Sequence, residues 1–287
     1  MAVKILVTGA TGAVGREVVK ELRAKGAAVR AAVHNSARVA TLGWQGVENV
    51  ALDYARPETF APALEGVNHV FLVRPPVGAP GMSNESLFGV IDQAKRAGVE
   101  HIVSLATMGT EQDDGFPMRQ VEKRLEASGM GYTFFRPNWY MQNFNGALAE
   151  TINKMGTLFV PAGDGKTSFI DVRDVGAAAA VLLTEPGHMG KAYAPTGGQA
   201  LDHHEVAAIL SKVSGKTIKY VPLSDDDMRS ALKGAGLAGD DIEVLLMLYR
   251  PVRQGRAAVV TPDLAKLIGR SPISFEQYAR DYAASWK

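Results

Sequence analysis

The chain has 287 residues and a nearly balanced charge, with 31 lysines and arginines against 30 aspartates and glutamates. The basic residues are scattered, so no patch indicates binding to nucleic acid or to an anionic membrane surface. The absence of cysteine excludes disulfides, thiol catalysis and cysteine metal sites, and it is typical of a reducing cytoplasm.

No apolar stretch approaches the roughly 18 residues that a membrane-spanning helix needs, so we expect no membrane span. The apolar run at the N-terminus is short and enters a glycine turn, which is not the pattern of a signal peptide. We therefore expect a cytoplasmic protein, either a monomer or a homodimer.

The first predicted elements are a strand, a glycine turn and a helix. Ile5–Val7 predicts a buried parallel strand, and Arg16–Ala24 predicts the helix. The start of such a helix has unpaired N–H groups and a partial positive charge, which attract the pyrophosphate of a dinucleotide. The spacing G-x-x-G-x-x-G differs from the ordinary G-x-G-x-x-G fingerprint, and a plain turn without a ligand is the alternative. The predicted cofactor-binding residues of this turn are Gly9, Thr11, Gly12, Ala13, Val14 and Gly15.

Short β-rich runs then alternate with helical patterns, which is typical of a parallel sheet with helices on both faces. The further predicted strands are Ala28–Val33, Val47–Leu52, His69–Val73, His101–Leu105 and Tyr132–Phe135. The predicted helices are Ser36–Leu42, Pro57–Leu64, Ser83–Ala97 and Met118–Ser128, followed by the turn glycines Gly43, Gly66, Gly98 and Gly129. Right-handed crossovers predict a Rossmann-type, doubly wound α/β fold with its ligand crevice at the carboxyl ends of the strands.

After Pro137 the pattern changes to a smaller, mostly helical lobe that is interleaved with the first domain. Its predicted helices and strands are Trp139–Asn153, Phe159–Val160, Ser168–Asp171, Val172–Leu183, Ala192–Pro195, Glu205–Val213, Lys219–Val221, Asp225–Lys233, Asp240–Tyr249, Pro262–Ile268 and Phe275–Trp286. We predict an NAD(P)-binding domain at residues 1–155 and a substrate lobe at 156–287, with helix 172–183 returning to the sheet. The irregular stretch Arg74–Met82 is interpreted as a lid or as a plain surface loop.

The end of the second strand bears on the choice of cofactor. An NAD site usually has an acidic residue there, which holds the ribose 2′-hydroxyl. This chain has His34-Asn35-Ser36-Ala37-Arg38 instead, with no carboxylate to repel a 2′-phosphate. Arg38 and Asn35 can bind such a phosphate, so we predict NADP(H) in preference to NAD(H). The alternative is that His34 and Arg38 are solvated surface residues.

Four motifs together resemble the NmrA-like branch of the atypical short-chain dehydrogenases/reductases. They are VTGATGAVG at 7–15, Leu52-Asp53, RPNWYMQNF at 136–144 and FIDVRDV at 169–175. The resemblance runs along nearly the whole chain. The branch includes NADP(H)-dependent quinone and dye reductases, and also regulators that sense the cofactor without known catalysis.

The resemblance implies positions for the cofactor and the substrate. By it, Asp53 and Tyr54 lie at the adenine, and the nicotinamide side is formed by Val73, Arg74, Pro75 and Leu105. The Arg-Pro-Asn segment at 136–138 is implied to line the substrate pocket.

One departure from the resemblance concerns catalysis. Short-chain dehydrogenases commonly carry a Tyr-x-x-x-Lys pair, in which the lysine lowers the pKa of a proton-donating tyrosine. Asp114 and Met118 occupy the two places here, so no catalytic residue is assigned. The chemistry that remains is NAD(P)H-dependent hydride transfer to a quinone-like, imine or cationic conjugated acceptor that solvent protonates. The alternative is a catalytically silent NADP sensor.

Aromatic residues after the sixth strand suit a flat, conjugated small-molecule substrate. The predicted pocket residues are Asn138, Trp139, Tyr140, Met141 and Phe144. The alternatives are that some of the apolar ones belong to the core, because they share a helical face, and that Asn138 caps a helix.

Two further clusters are given structural interpretations. The pair His203-His204 is interpreted as an exposed helix start rather than a metal site, because adjacent side chains point apart. Asp171 and Asp174 are interpreted as residues that cap and orient the next helix.

Overall fold

The structure is a computed structural model that describes residues 3–34, 44–74 and 83–286. The chain forms two compact units: the first contains Met1–Pro137, Val172–Ala194 and Lys266–Gly269, and the second Asn138–Asp171, Pro195–Ala265 and Arg270–Lys287. The change of unit at Pro137 comes earlier than the boundary predicted at residue 155. It does so because the chain beyond Pro137 pairs within the second unit, where Tyr140 bridges to Ile170.

The first unit is built on a parallel sheet, which in the described residues has seven strands in the order β3-β2-β1-β4-β5-β6-β8. The strands are β1 (Lys4–Val7), β2 (Ala28–Val33), β3 (Glu48–Ala51), β4 (His69–Val73), β5 (His101–Leu105), β6 (Gly131–Phe135) and β8 (Lys191–Tyr193). The strand order reverses direction beside β1, between β1 and β4. This is the doubly wound Rossmann-type topology that the sequence predicts, and the prediction is confirmed.

Helices cover both faces of this sheet. They are α1 (Ala13–Ala24), α2 (Phe60–Leu64), α3 (Asn84–Arg96), α4 (Pro117–Ser128) and α6 (Val172–Thr184). Helix α6 packs on α1 so closely that a Cβ at Gly176 would lie 2.5 Å from the Cβ of Glu17. Helix α6 thus belongs to the first unit, which contains the sheet. The predicted helix Ser36–Leu42 with Gly43, and residues 75–82 of the predicted lid, lie outside the described residues.

The glycine turn between β1 and α1 has two positions that only glycine fits well. Gly9 has a φ of +60°, in the left-handed region. A Cβ on Gly15 would lie 2.2 Å from the carbonyl oxygen of Gly9. Gly12 is extended and caps α1, so the helix begins at Ala13, three residues before the predicted start. The turn and the first helical turn are thus packed backbone against backbone.

The second unit contains a parallel pair of strands, β7 (Thr157–Val160) and β9 (Lys219–Pro222). Its helices are α5 (Ala149–Met155), α7 (His203–Ser214), α8 (Asp225–Gly234), α9 (Gly239–Arg253) and α11 (Phe275–Asp281), and α10 (Asp263–Ile268) has residues in both units. Its core is rich in aromatic side chains, among them the buried Phe144, Phe275, Tyr278 and Trp286.

Two predicted elements of this unit are wrong. Trp139–Asn153 is not one helix but a 3₁₀ turn, Met141–Asn143, followed later by α5. Ser168–Asp171 is not a strand, and Ile170 makes only a single bridge. One reason serves both: Met141 N donates to Ile170 O and Ile170 N to Trp139 O, each at 2.9 Å. A helix from Trp139 would use the Trp139 carbonyl to accept from Asn143 N, but this carbonyl accepts from Ile170 N and Asn143 N donates to Tyr140 O.

His203 also departs from its interpretation. Its side chain is buried, and its ring lies 5.6 Å from that of Phe169 and 5.2 Å from that of Tyr220. The interpretation as an exposed helix start is therefore wrong for His203. It holds for His204, whose side chain is 58% exposed.

We expect acid to destabilise both units through buried histidines. Burial lowers the pKa of His101 and of His203 to about 4, below the ordinary value of about 6.5. The unfolded chain then binds more protons between pH 6.5 and 4, so the free energy of unfolding falls as the pH falls through that window. At pH 5 each histidine should cost about 2 kcal/mol relative to pH 7.

Urea unfolding at pH 7 and pH 5 measures this loss. His101→Gln and His203→Gln should each make the loss smaller, whereas His204→Gln at the exposed neighbour should not change it. If His101→Gln and His203→Gln both lose as much unfolding free energy between pH 7 and pH 5 as the parent protein, the lowered pKa values of these two histidines are contradicted.

We expect Gly15→Ala to lower the free energy of unfolding by about 1–3 kcal/mol, because its methyl group must displace the backbone of Gly9. The control is Gly234→Ala in α8, where a Cβ meets no atom within 4 Å; this variant should be as stable as the parent or slightly more so. Thermal and urea unfolding compare the two, and equal stability of both variants would refute the close packing.

Candidate functional site

The carboxyl ends of β1 and β4 are tied together in the first unit. Thr8 Oγ1 donates to Phe71 O at 3.1 Å and accepts from Val73 N at 2.8 Å. Tyr54 Oη donates to Val73 O at 2.6 Å, and burial raises the pKa of Tyr54 to about 12, so the phenol keeps its proton. Gly9 faces the side chain of Val73. Gly9, Tyr54 and Val73, which were predicted to touch the cofactor, are thus neighbours.

The start of α1 fits a dinucleotide pyrophosphate. The first N–H groups of the helix, at Ala13, Val14 and Gly15, have no partner within it. Its first turn contains no acidic residue. Arg16 is exposed there, and its Nε donates to Thr11 O at 2.9 Å, which adds positive charge beside the turn. A Cβ on Gly15 would clash with the Gly9 carbonyl, so a glycine at this position lets the turn pack against the helix.

The ends of β2 and β3 bring a second pair of predicted residues together. His34 Nδ1 lies 3.5 Å from Asp53 Oδ2, and the His34 side chain is 76% exposed. Asp53 Oδ1 accepts from Ala55 N at 2.9 Å, which fixes the carboxylate. Asn35, Arg38 and Pro75 lie outside the described residues, so their predicted contacts stay predictions.

A small recess opens at the carboxyl ends of β4 and β5. Its lining consists of Leu72, Arg74, Leu87, Ser104, Leu105, Ala106, Met118 and Val121. Arg74 and Leu105 were predicted near the nicotinamide, whereas Ser104 and Ala106 were not assigned to a site. The available signal for them was position, because both stand at the carboxyl end of a parallel strand, where such sheets bind ligands.

The two residues that the sequence aligns with the Tyr/Lys pair, Asp114 and Met118, differ in surroundings. Asp114 is exposed and pairs with Lys123 at 2.9 Å. The hydrogen bond from Lys123 lowers the pKa of Asp114, so this residue is an anion at neutral pH. Met118 lines the recess. Neither side chain can donate a proton at neutral pH.

Arg136, in the segment that the resemblance places at the substrate pocket, is held by carboxylates of the first unit. Its Nε and Nη2 donate to Glu122 Oε1 and Oε2 at 2.8 and 2.9 Å, and its Nη1 lies 3.2 Å from Glu111. Glu122 is fully buried and also accepts from Arg119. The guanidinium therefore anchors α4 to the end of β6 and is not presented to a substrate.

Asn138 is likewise held by the protein, in the second unit. Its Nδ2 donates to Ser168 Oγ at 2.7 Å and to Ala257 O at 2.8 Å, and its Oδ1 accepts from Trp139 N. The side chain is buried, and the next helical element, the 3₁₀ turn Met141–Asn143, is capped by Tyr140 and not by Asn138. The amide of Asn138 is used within the fold, and its predicted place in the substrate pocket stays a prediction.

The predicted aromatic pocket residues divide into two pairs. Met141 and Phe144 belong to the core of the second unit, which is the alternative that the sequence left open. Trp139 and Tyr140 are only partly buried. The Trp139 ring lies 4.6 Å from that of Tyr249, and burial raises the pKa of Tyr140. Trp139 and Tyr140 remain predicted pocket residues.

Asp171 and Asp174 are both buried, and Asp174 lies in the first turn of α6. Asp171 Oδ1 accepts from Gln142 Nε2 at 2.9 Å. Among the residues that the structure describes, no group of three or more acidic or histidine side chains is arranged to hold a metal ion. No helix within the same ranges is long and apolar enough to cross a membrane.

Comparison with known proteins places the chain among reductases. The NmrA-like family model matches residues 1–238. The NAD(P)H azoreductase of Xenophilus azovorans is 35% identical over 286 residues, covering 98% of this chain and 99% of that protein. The structure of Citrobacter sp. triphenylmethane reductase complexed with NADP(H) is 30% identical with a TM-score of 0.83, covering 97% of this chain and 99% of that one.

A second solved structure is the NADPH-dependent quinone oxidoreductase of Escherichia coli complexed with NADPH. It is 31% identical with a TM-score of 0.84, covering 97% of this chain and 99% of that one. These relatives identify the chain as an NAD(P)H-dependent reductase. The family predicted from the four sequence motifs is confirmed: the chain belongs to the NmrA-like family.

Proposed function

We propose that this reductase transfers a hydride from NADPH to a flat conjugated acceptor: a quinone-like compound, an imine or azo compound, or a cationic conjugated dye. The observation that carries the proposal is the set of mostly apolar residues at the carboxyl ends of β4 and β5, among which the described part of the chain places no proton-donating acid. Relatives named as azo, quinone and triphenylmethane reductases support this range of acceptors.

The cofactor, when bound, supplies the hydride. The residues of this chain hold it: the N–H groups at the start of α1 bind the pyrophosphate, and the turn from Gly9 to Gly15 lets the phosphates approach the backbone. Val73, Arg74 and Leu105 are proposed to form the nicotinamide side, with Asp53 and Tyr54 at the adenine. Val73 is kept in place by two hydrogen bonds: its N–H donates to Thr8 Oγ1, and its carbonyl accepts from Tyr54 Oη.

The lack of a proton-donating side chain limits the kinds of acceptor that the protein can reduce. An alcohol–ketone enzyme of this type protonates substrate oxygen with a tyrosine, and Asp114 at that place is an exposed anion. Conjugated acceptors spread the incoming charge over many atoms and can take their proton from water. The protein then contributes orientation and a dry surface. The non-catalytic NADP sensor is not proposed, because the named relatives are reductases.

We propose NADPH rather than NADH as the physiological donor. The sequence after β2 has no carboxylate over residues 34–38 to repel a 2′-phosphate, and it contains Arg38. The nearby His34 is exposed and adds a group that can donate to phosphate. A cytoplasmic location and a monomeric or dimeric state remain predictions.

We expect the purified protein to oxidise NADPH with at least one acceptor from a panel of quinones, azo compounds, imines and cationic dyes, and to reduce simple ketones poorly. The loss of NADPH absorbance measures the turnover. Tight NADPH binding without turnover on the whole panel would overturn the proposed function.

We expect Arg38→Ala to lower kcat/KM for NADPH by about 10- to 100-fold, because a charge-assisted hydrogen bond to phosphate is lost. The value for NADH should change by less than about twofold, since NADH has no 2′-phosphate. Arg96→Ala removes an exposed arginine at the end of α3 and serves as the control. Equal losses with both cofactors would refute a role for Arg38 in phosphate recognition.

A further inference from the structure

The carboxyl end of β4 extends beyond its neighbour β1. The register of the two strands ends at the pair Val7 and Phe71, after which Thr8 N donates to Phe71 O at 3.0 Å. The chain then turns away at Gly9, whose φ of +60° is left-handed. Val73 lies two residues further along β4, so its N–H and C=O face the same side as those of Phe71. Because β1 has turned away there, these two groups need partners other than its backbone.

Two side chains supply those partners. Val73 N donates to Thr8 Oγ1 at 2.8 Å, and Val73 O accepts from Tyr54 Oη at 2.6 Å. Thr8 Oγ1 in turn donates to Phe71 O at 3.1 Å. A strand end without partners would bind water or shift toward other donors and acceptors. The two hydroxyl groups therefore do for Val73 what a neighbouring strand does for the other residues of β4.

The surroundings of Tyr54 suit a fixed donor. Its ring is partly buried and packs against the core that contains Leu52 and Phe60. Burial raises the pKa of its phenol to about 12, so the hydroxyl keeps its proton, and the Val73 carbonyl accepts that proton in a hydrogen bond. Tyr54 follows β3, and β2 and β1 lie between β3 and β4 in the sheet. One hydrogen bond thus ties the loop after β3 to the end of β4.

Val73 contacts residues on both sides of it. It pairs in register with Leu105 of β5, and both residues are proposed to form the nicotinamide side. A Cβ on Gly9 would lie 3.5 Å from the Cβ of Val73, so the glycine turn packs directly on this side chain. A shift of Val73 would move the nicotinamide side relative to that turn. Hydride transfer is sensitive to such a shift, because the reacting atoms must approach to about 3–3.5 Å in a defined orientation.

We propose that Tyr54 is a positioning residue for hydride transfer: its hydroxyl holds the Val73 carbonyl, and Val73 in turn holds the nicotinamide half of the cofactor in place. The resemblance to the family implies a place for Tyr54 at the adenine, whereas its hydroxyl donates to Val73 in the structure. The hydroxyl therefore acts on the nicotinamide half through Val73 and adds nothing to binding of the adenine half. The inference rests on the proposed function, since it concerns the step in which NADPH gives up its hydride.

The variant that tests this is Tyr54→Phe, which keeps the ring in the core and removes only the hydroxyl group. The matched control is Tyr132→Phe in the same unit. The Tyr132 ring is partly buried and stacks on Phe134 at 4.6 Å, and its hydroxyl makes no hydrogen bond to a residue that the structure describes. Both variants lose the same atom, but only Tyr54→Phe loses an internal hydrogen bond.

The first measurement is the rate of hydride transfer in a single turnover, followed by the loss of NADPH absorbance. The acceptor is the member of the panel of quinones, azo compounds, imines and dyes that the parent protein reduces fastest. A slower rate with NADPH deuterated at both C4 positions identifies the observed step as hydride transfer. We expect Tyr54→Phe to lower this rate by about 3- to 10-fold, as loss of one hydrogen bond implies, and Tyr132→Phe to leave it unchanged.

The second measurement separates the two halves of the cofactor. The probe is 2′,5′-ADP, which carries the adenine, the ribose and phosphates but no nicotinamide. In calorimetry its Kd for both variants should stay within about twofold of the parent value. Slower hydride transfer together with unchanged binding of the adenine half is the result that a positioning role predicts. A general loss of folding would weaken the binding of 2′,5′-ADP as well.

Failure of the inference and failure of the proposed function give different results. An unchanged rate of hydride transfer in Tyr54→Phe would overturn the inference alone. Weaker binding of 2′,5′-ADP, by as large a factor as the rate falls, would also overturn it, because the hydroxyl would then act on the adenine half. Equal losses of rate in Tyr132→Phe and Tyr54→Phe would show that the bond to Val73 is not the cause. Absence of turnover by the parent protein with the whole panel would overturn the proposed function, and the inference with it.

Discussion

The backbone contact between Gly9 and Gly15 is the constraint on which the site depends. With 2.2 Å between the carbonyl oxygen of Gly9 and the position of a Cβ on Gly15, any larger residue separates the turn from α1. Since Gly9 also faces the side chain of Val73, the same contact positions the end of β4. The open start of the helix and the floor of the crevice are therefore set by one local packing arrangement.

The sheet was predictable because its signals are local. Apolar runs of four to six residues bounded by glycine turns mark buried parallel strands, and three of them, β2, β4 and β5, have the predicted bounds. The stretch after Pro137 was not predictable in this way. Its aromatic residues are spaced like a helix, but Met141 and Ile170 form a hydrogen bond across 29 positions of sequence, and no local pattern records such a partner.

The same limit applies at the candidate site, where the structure shows side-chain partners that the sequence could not. Arg136 and Asn138 are polar residues in a motif that the resemblance associates with substrate, yet each is satisfied by groups distant in sequence: Glu122 for the first, Ser168 and Ala257 for the second. What the sequence did identify was the set of strand ends, because parallel topology brings them to one edge. Which partners their side chains bind depends on residues distant in sequence, and these contacts are visible only in the folded chain.

The most direct test of the account is a crystal structure of the protein with NADP⁺. The account predicts pyrophosphate oxygens within hydrogen-bonding distance of the backbone N–H groups of residues 13–15, and the 2′-phosphate beside residues 34–38. A pyrophosphate bound away from the start of α1, or a ribose 2′-position that faces solvent far from Arg38, would contradict it.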